Sequence, residues 1–346
     1  MNILLSSHAF YPNIGGIETV SMLLAREFVS AGHDVIVVTQ TPAGENDVML
    51  PFKVVRRPSP SSLVRLLAWS EVLFQNNISL RTAWPLVFVP RPWVVVHHIY
   101  IPRNRGLSGF KGRLKHFVLH WATNIAVSQA VAKDFDLPVA VIQNPYDDGT
   151  FRMMPGIERT RDLIFVGRLI PDKGLPVLLE ALKYLQEQGL KPGLTVVGEG
   201  PEAGKCRELT ERWNLEDQVR FLGAKRGEEL AAELNAHRIM VVPSVWNEPF
   251  GIVALEGMAC GCVVVGSQGG GLPEAIGPGG LKFPNGDAHA LAEQLYCLLE
   301  NRELYTNLHN ASANHLLQHQ AKKIAADYLE ILIKTIVKPS YQNNAI

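Results

Sequence analysis

The stretch Phe165-Val166-Gly167-Arg168-Leu169-Ile170-Pro171-Asp172-Lys173-Gly174-Leu175 changes period in its middle. Residues 162–166 have the length and apolar character of a buried strand. From Leu175 the apolar residues return at three- and four-residue spacing, as on one face of a helix. A strand that passes into a helix through a glycine-bearing turn is the first half of a βαβ unit, and such units continue on both sides. Downstream, strands are predicted over 195–198, 219–222, 239–243 and 262–266, interleaved with helices over 175–188, 201–213, 227–236 and 251–259. Upstream, strands are predicted over 3–6, 34–39, 93–96 and 139–143, with a helix over 17–31 that stops at Gly32. Parallel strands joined by such helices take right-handed crossovers, which brings the binding loops to the strands' carboxyl ends. The pattern restarts after Arg152-Met153-Met154-Pro155-Gly156. The expected fold class is therefore α/β, with two doubly wound, Rossmann-like parallel-sheet domains facing across a cleft: 1–155, 156–318, and a C-terminal helix within 319–346 packing back toward the first.

Composition agrees with two globular domains. The chain has 346 residues, 47% of them hydrophobic, with 33 basic and 33 acidic residues. Zero net charge excludes a whole-chain basic polymer binder, since counterion release needs a surplus of positive charge. Cys206, Cys260, Cys262 and Cys297 are too few for a disulfide framework, and Cys260-x-Cys262 is not the C-x-x-C of a zinc or redox site. Buried reduced thiols are expected. The N-terminus lacks a basic n-region, and the longest apolar stretch, 84–96, is broken by Arg91 and prolines. These features point to the cytoplasm.

Four loops could hold an anionic ligand. In Phe10-Tyr11-Pro12-Asn13-Ile14-Gly15-Gly16-Ile17-Glu18, Gly15 and Gly16 let backbone amides approach an anion at a helix start, without the G-x-G-x-x-G spacing of a nicotinamide or flavin site. In the opening stretch, Gly167-Arg168 and Lys173 bring two cations and a helix N-terminus to one place, as a diphosphate needs. The third loop, 242–251, carries Glu248. Glu256 lies about two turns into the helix that follows, so the carboxylates should meet different hydroxyls, while the amides of Phe250, Gly251 and Ile252 can bind further oxygens. Gln268-Gly269-Gly270-Gly271-Leu272-Pro273-Glu274 supplies flexible backbone beside them.

These residues resemble the family 4 glycosyltransferases of GT-B fold. The matches are Gly15-Gly16-Ile17-Glu18, Ala126-Val127-Ser128, Asn144-Pro145, Gly167-Arg168 with Lys173-Gly174, Val197-Gly198-Glu199-Gly200-Pro201, Glu248-Pro249-Phe250-Gly251 with Glu256, and Gly270-Gly271-Leu272-Pro273-Glu274. They run in the family's order over nearly the whole chain. The resemblance implies transfer of a hexose-type sugar from a nucleotide-diphosphate sugar with retention of anomeric configuration. It implies that Arg168 and Lys173 hold the diphosphate, Glu256 the ribose hydroxyls and Glu248 the donor-sugar hydroxyls. Gly15, Gly16, Gly167 and the amides of Phe250, Gly251 and Ile252 would line the donor. The family's N-domain histidine falls at His98, with His97 the alternative, and Ile99 stands where a glycine is common. His98 would orient the donor sugar.

No cofactor and no obligatory metal are expected. There is no D-x-D motif, and the i, i+4 pairs His116/His120 and His315/His319 lack an accompanying glutamate. The chain between residues 40 and 93 is shorter than is common in the family, so acceptor identity is not implied. A glucan-synthase-like polymerase with a soluble acceptor and a non-catalytic nucleotide-sugar-binding protein are the alternatives.

The acceptor side carries its own signal. Between residues 52 and 115 stand Lys53, Arg56, Arg57, Arg65, Arg81, Arg91, Arg103, Arg105, Lys111, Arg113 and Lys115 against a single acid, Glu71. Trp69, Trp84, Trp93, Phe110, Phe117 and Trp121 lie among or near them. Cations interleaved with aromatics suit an anionic membrane surface or an anionic lipid-linked or glycan acceptor, with 106–121 the candidate surface segment. No nucleic-acid motif accompanies the charge, so nucleic acid is not an expected partner. Overall neutrality is thus a sum of unlike halves: 14 basic and 10 acidic residues up to residue 155, 19 and 23 beyond it.

Overall fold

The computed structural model describes residues 1–13, 15–44, 49–100 and 110–337, without the side chains of 110–113. It divides into two compact units, Met1–Pro145 with the chain from Ala321 onward, and Tyr146–Gln320.

Unit 1 runs β1 (Asn2–Ser7), α1 (Gly16–Ser30), β2 (Asp34–Thr39), β3 (Lys53–Arg56), α2 (Pro60–Trp69), β4 (Val72–Asn76), α3 (Leu80–Ala83), β5 (Trp93–His97), α4 (Phe110–Val118), β6 (Thr123–Ala126), α5 (Gln129–Ala132) and β7 (Val139–Val141). Among the described residues these strands form one parallel sheet in the order β3-β2-β1-β4-β5-β6-β7. The central strands are covered on both faces, which is why Ile3, Leu4, Leu5, Val94, Val95 and Val96 read as unbroken apolar runs. Three strands of this unit, β3, β4 and β6, escape the sequence pattern. β3 is an edge strand bearing Lys53 and Arg56, as edges that resist further pairing often do. β4 ends on buried Gln75 and Asn76, whose amides the fold satisfies: Gln75 Nε2 donates to Thr82 Oγ1 at 2.8 Å and Asn76 Nδ2 to Ser21 Oγ at 2.6 Å.

Unit 2 runs β8 (Arg161–Val166), α6 (Leu175–Glu187), β9 (Leu194–Val197), α7 (Ala203–Arg212), β10 (Val219–Gly223), α8 (Gly227–Ala236), β11 (His237–Val242), α9 (Ile252–Ala259), β12 (Val263–Ser267), α10 (Leu272–Ile276), β13 (Gly280–Phe283), α11 (Ala288–Glu300) and α12 (Arg302–Gln318). Its parallel sheet has the order β10-β9-β8-β11-β12-β13. Leu163, Phe165, Val196, Ile239, Val241 and Val265 of the strands pack against Leu178, Leu182 and Leu185 of α6 in one core. Each such side chain stabilises the fold by roughly 1.5–3 kcal/mol through burial.

The division falls at Pro145/Tyr146, earlier than the expected break after residue 155. Residues 146–155 are tied to unit 2 by backbone. Tyr146 N donates to His319 O at 3.2 Å, Met154 N to Asn235 Oδ1 at 2.9 Å, and Asn235 Nδ2 to Arg152 O at 2.9 Å. The last helix, α13 (Ala321–Val337), belongs to unit 1. The buried ring of Tyr328 meets Phe74 edge-on at 5.5 Å, and Thr335 Oγ1 donates to Thr123 Oγ1 at 3.1 Å. Cys206, Cys260 and Cys262 are buried, but Cys297 is exposed on α11 and corrects the expectation of four buried thiols. No helix among the described residues is long and apolar enough to cross a membrane.

Candidate active site

In each sheet the strand order reverses between two central neighbours, β1 and β4 in unit 1 and β8 and β11 in unit 2. The loops leaving such a pair diverge and open a crevice, so the topology fixes where a ligand can enter.

In unit 2 the loop after β8 passes Gly167 and Arg168, tightens into a 3-10 turn at Pro171–Lys173, and enters α6 through Gly174. Gly174 has a φ of 68°, and a Cβ there would lie 1.9 Å from Pro243 O. Only glycine lets this helix start approach the loop after β11 so closely. The backbone completes the join, Val245 N donating to Asp172 O at 3.0 Å. That approach brings Lys173 Nζ to Glu248 Oε1 at 2.6 Å, and Ser244 Oγ donates to the same oxygen at 2.7 Å. Glu248 is nearly buried and Lys173 half-buried, so their charges face each other away from bulk water. Glu248 is held by backbone too, with its carbonyl accepting from Gly271 N at 2.7 Å and a parallel bridge to Gly270. Asn285 ties these loops, accepting from Gly269 N at 2.7 Å and donating to Trp246 O at 3.2 Å.

α9 begins at Ile252 with Gly251 as its cap at φ 106°, so Phe250 precedes the helix. Glu256 therefore lies little more than one turn inside, not the two turns expected, since it comes four residues after Ile252 in a helix of about 3.6 residues per turn. Glu256 is half-buried; that enclosure, with the charge of Asp147 second, pushes its carboxyl up to about 7. Arg168 is exposed beside the turn, and its guanidinium has no partner among the described residues. Gly167 lies over the loop after β9, where Gly198 at φ 147° would carry a Cβ 1.8 Å from Gly167 O.

In unit 1, Gly15 caps α1 with extended backbone and Gly16 opens the helix, exposed. His98 follows β5. Its Nε2 lies 3.3 Å from Asn76 Oδ1, and its backbone N donates to Asn77 Oδ1 at 2.8 Å. The Asn76 amide nitrogen is committed to Ser21 Oγ, so the His98 ring donates to the amide oxygen as a neutral imidazole. Burial, then the neighbouring His97, lowers its pKa to about 3. His97 faces the other way, toward Asn124 Oδ1 at 3.0 Å and the Phe135 ring at 4.4 Å, and burial lowers its pKa to about 4. Asn76 and Asn77 line a cavity of about 750 Å³ with His8, Ile17, Arg81 and Lys115 at the reversal of the sheet.

Two family descriptions cover most of the chain: "Glycosyltransferase Family 4" matches residues 14–149 and "Glycosyl transferases group 1" residues 151–315. The chain belongs to the family 4 glycosyltransferases. Among curated family members, it is 35% identical to the D-inositol 3-phosphate glycosyltransferase of Corynebacterium glutamicum over 45% of this chain and 39% of that one. It is 28% identical to the phosphatidyl-myo-inositol mannosyltransferase of Mycobacterium leprae over 75% of this chain and 71% of that one. The chain thus spans well under two thirds of the first of these relatives. Its glycosyltransferase fold is that of Anabaena HepE, solved in complex with UDP, at a TM-score of 0.82 and 21% identity over 96% of this chain and 100% of that one.

Within this family 4 chain, the fold joins Lys173 to Glu248, sets Glu256 apart against Asp147, and leaves Arg168 facing solvent. Sequence reasoning missed Ser244, Asn285 and Asp147. Ser244 was open to detection, being four residues before Glu248 in the same loop. Asn285 and Asp147 come from distant loops and carry no local signal. Of the paired histidines, His315 Nε2 lies 2.8 Å from Ala275 O, and His116 and His120 meet edge-on.

Proposed function

We infer that this chain transfers a hexose-type sugar from a nucleotide-diphosphate sugar, with retention, to an anionic lipid-linked or glycan acceptor. The setting we assign is cell-envelope polysaccharide or glycolipid synthesis, at the cytoplasmic face of a membrane. The observation that carries this reading is the Lys173–Glu248 pair, a cation and a carboxylate 2.6 Å apart at the reversal of the unit 2 sheet. Without donor the two neutralise each other. With donor they would part, Lys173 toward the diphosphate and Glu248 toward the sugar hydroxyls, exchanging one set of charge-assisted hydrogen bonds for another.

In the reaction, the bond from the anomeric carbon to the diphosphate oxygen breaks and the bond to the acceptor oxygen forms on the same face of the ring. The acceptor proton passes to the departing diphosphate. Charge grows on that diphosphate as it leaves, so Arg168 and Lys173 supply the largest electrostatic contribution, with no obligatory metal. Amides at Gly16 and from Phe250 to Ile252 add further donors, and Glu256 takes the ribose hydroxyls. His98, neutral because it is buried, is assigned the donor-sugar hydroxyls as a hydrogen-bonding group and not as a base.

Support for the acceptor reading comes from unit 1. Val87 is 80% exposed, Phe88 73%, Phe117 58% and Trp121 44%, within a stretch whose one acid is Glu71. Of the 106–121 segment expected to form the surface, 106–109 lie outside the described residues. The M. leprae relative is named for a phosphatidyl-linked acceptor.

A thermal-shift panel of nucleoside diphosphates and their sugars, led by UDP and UDP-glucose, tests the donor, because a preferred ligand stabilises in proportion to its affinity. No shift with any of them would sink the donor assignment. Co-sedimentation with vesicles tests the membrane reading: binding should need anionic lipid and weaken with salt.

A further inference from the structure

A second cavity in unit 1, of about 490 Å³, is lined by Leu80, Trp84, Val87, Trp93, Leu114 and Trp121. It shares Leu80 and Leu114 with the cavity that carries Arg81 and Lys115. The two therefore adjoin, one largely apolar and walled by three indoles, with Arg91 of its lining held on the Ser70 and Ala68 carbonyls, the other carrying two cations and reaching the ends of β1 and β4. Neither Arg81 nor Lys115 meets a carboxylate among the described residues, and Glu71, the one acid of its stretch, accepts from Asn2 N at 2.7 Å. The rest of the exposed apolar patch, Phe88 and Phe117, lies outside the pocket's lining.

We propose that the apolar pocket seats one hydrocarbon chain of an anionic amphiphile whose phosphate-bearing head lies in the adjoining cavity against Arg81 and Lys115. A chain taken up singly differs from attachment to a membrane surface: it selects one amphiphile, orients its head toward the sheet reversal, and removes apolar surface on both sides from water. The inference rests on the lipid-linked acceptor reading only in calling this amphiphile the acceptor.

The test uses the full chain and a single-chain lysophosphatidate with a dibrominated acyl chain, since bromine quenches indole emission at close range. Trp84, Trp93 and Trp121 line the pocket, so quenching should saturate at one probe per chain. Val87→Asp should weaken it at least tenfold without moving the melting temperature, as Val87 is exposed, and Leu114→Asp gives a second reading. The choline-headed counterpart should bind at least tenfold more weakly, and Arg81→Ala with Lys115→Ala should erase that preference. Inorganic phosphate alone should leave the emission unchanged. Equal binding of both head groups, indifference to Val87→Asp, or a dimer that Val87→Asp dissociates and that excludes the probe would overturn the proposal. The titration contains no sugar donor. A chain that binds the probe yet glycosylates only soluble glycans keeps the pocket and loses the acceptor reading. Lipid-linked transfer that Val87→Asp leaves unchanged does the reverse.

Discussion

At the reversal of the unit 2 sheet, the loops after β8 and β11 present a cation and a carboxylate in contact. At the reversal of the unit 1 sheet the buried polar groups are uncharged: His98, following the neighbouring β5, lies on Asn76, and Asn76 on Ser21, whose hydroxyl donates to Ser7 Oγ at 3.0 Å. The sheets are alike, but their chemistry is opposite. In unit 2 the cation and the carboxylate of this pair face each other, which offsets the cost of enclosing them. In unit 1 the largest influence on both histidines is burial, which favours their neutral forms. Topology selects the place, and the presence of a counter-charge decides the protonation state found there.

The contrast breaks most completely if the ion pair is cut. Glu248→Ala and Lys173→Ala should each lower kcat/KM for sugar transfer by about a thousandfold or more, while circular dichroism still shows a folded chain. Near-normal turnover in either would remove the pair from the mechanism. Next in size is the helix start. Gly174→Ala forces a left-handed residue and a backbone clash, and should cost about 2–4 kcal/mol in chemical denaturation. Gly15→Ala at the head of α1 should stay within about 0.5 kcal/mol, because its backbone is extended and the Cβ meets only the movable Glu18 carboxylate.

The pH dependences should have opposite signs. His98 and His97 have pKa values lowered to about 3 and about 4, below the usual 6.5. Their neutral forms therefore contribute stability that is present above pH 6.5 and lost as pH falls below it, at up to about 1.4 kcal/mol per pH unit for each. Glu256, raised from 4.5 to about 7, contributes stability present below pH 4.5 and lost as pH rises through 7. Burial also lowers His237 and His315 in unit 2, so single variants are needed to separate the carboxyl from them. Denaturation midpoints should show wild type losing stability relative to His98→Gln on acidification, and relative to Glu256→Gln on going from pH 4.5 to 7. Parallel slopes would refute the contrast. Far smaller than cutting the ion pair is Ser244→Ala, which removes one hydroxyl from Glu248 and should lower kcat/KM by about tenfold or less, with Lys173 still holding the carboxylate.

Legibility in the sequence followed burial and locality. The strands covered on both faces, such as 162–166 and 93–96, were readable because burial demands apolar runs. β3 and β4 were not, since an edge needs charge and Asn76 and Gln75 find their partners only in the fold. The site residues Lys173 and Glu248 were readable from motif and spacing, yet their contact was not. It depends on Gly174, where a Cβ would lie only 1.9 Å from Pro243 O. The boundary after residue 155 was read from a change in pattern, whereas the chain joins unit 2 at Tyr146 through hydrogen bonds to His319 and Asn235, far away in sequence.

By itself, then, the sequence determined the alternation of strands and helices, the family, the basic acceptor-side segment and the residue types at each loop. These follow from local periodicity and charge, which need no partner. Which loops meet, which carboxylate is paired and which is pushed toward neutrality, and which asparagine each of two adjacent histidines meets were decided only by tertiary structure. Parallel crossovers bring loops 75 residues apart into hydrogen-bond contact, and the enclosure they create sets the protonation of what they enclose.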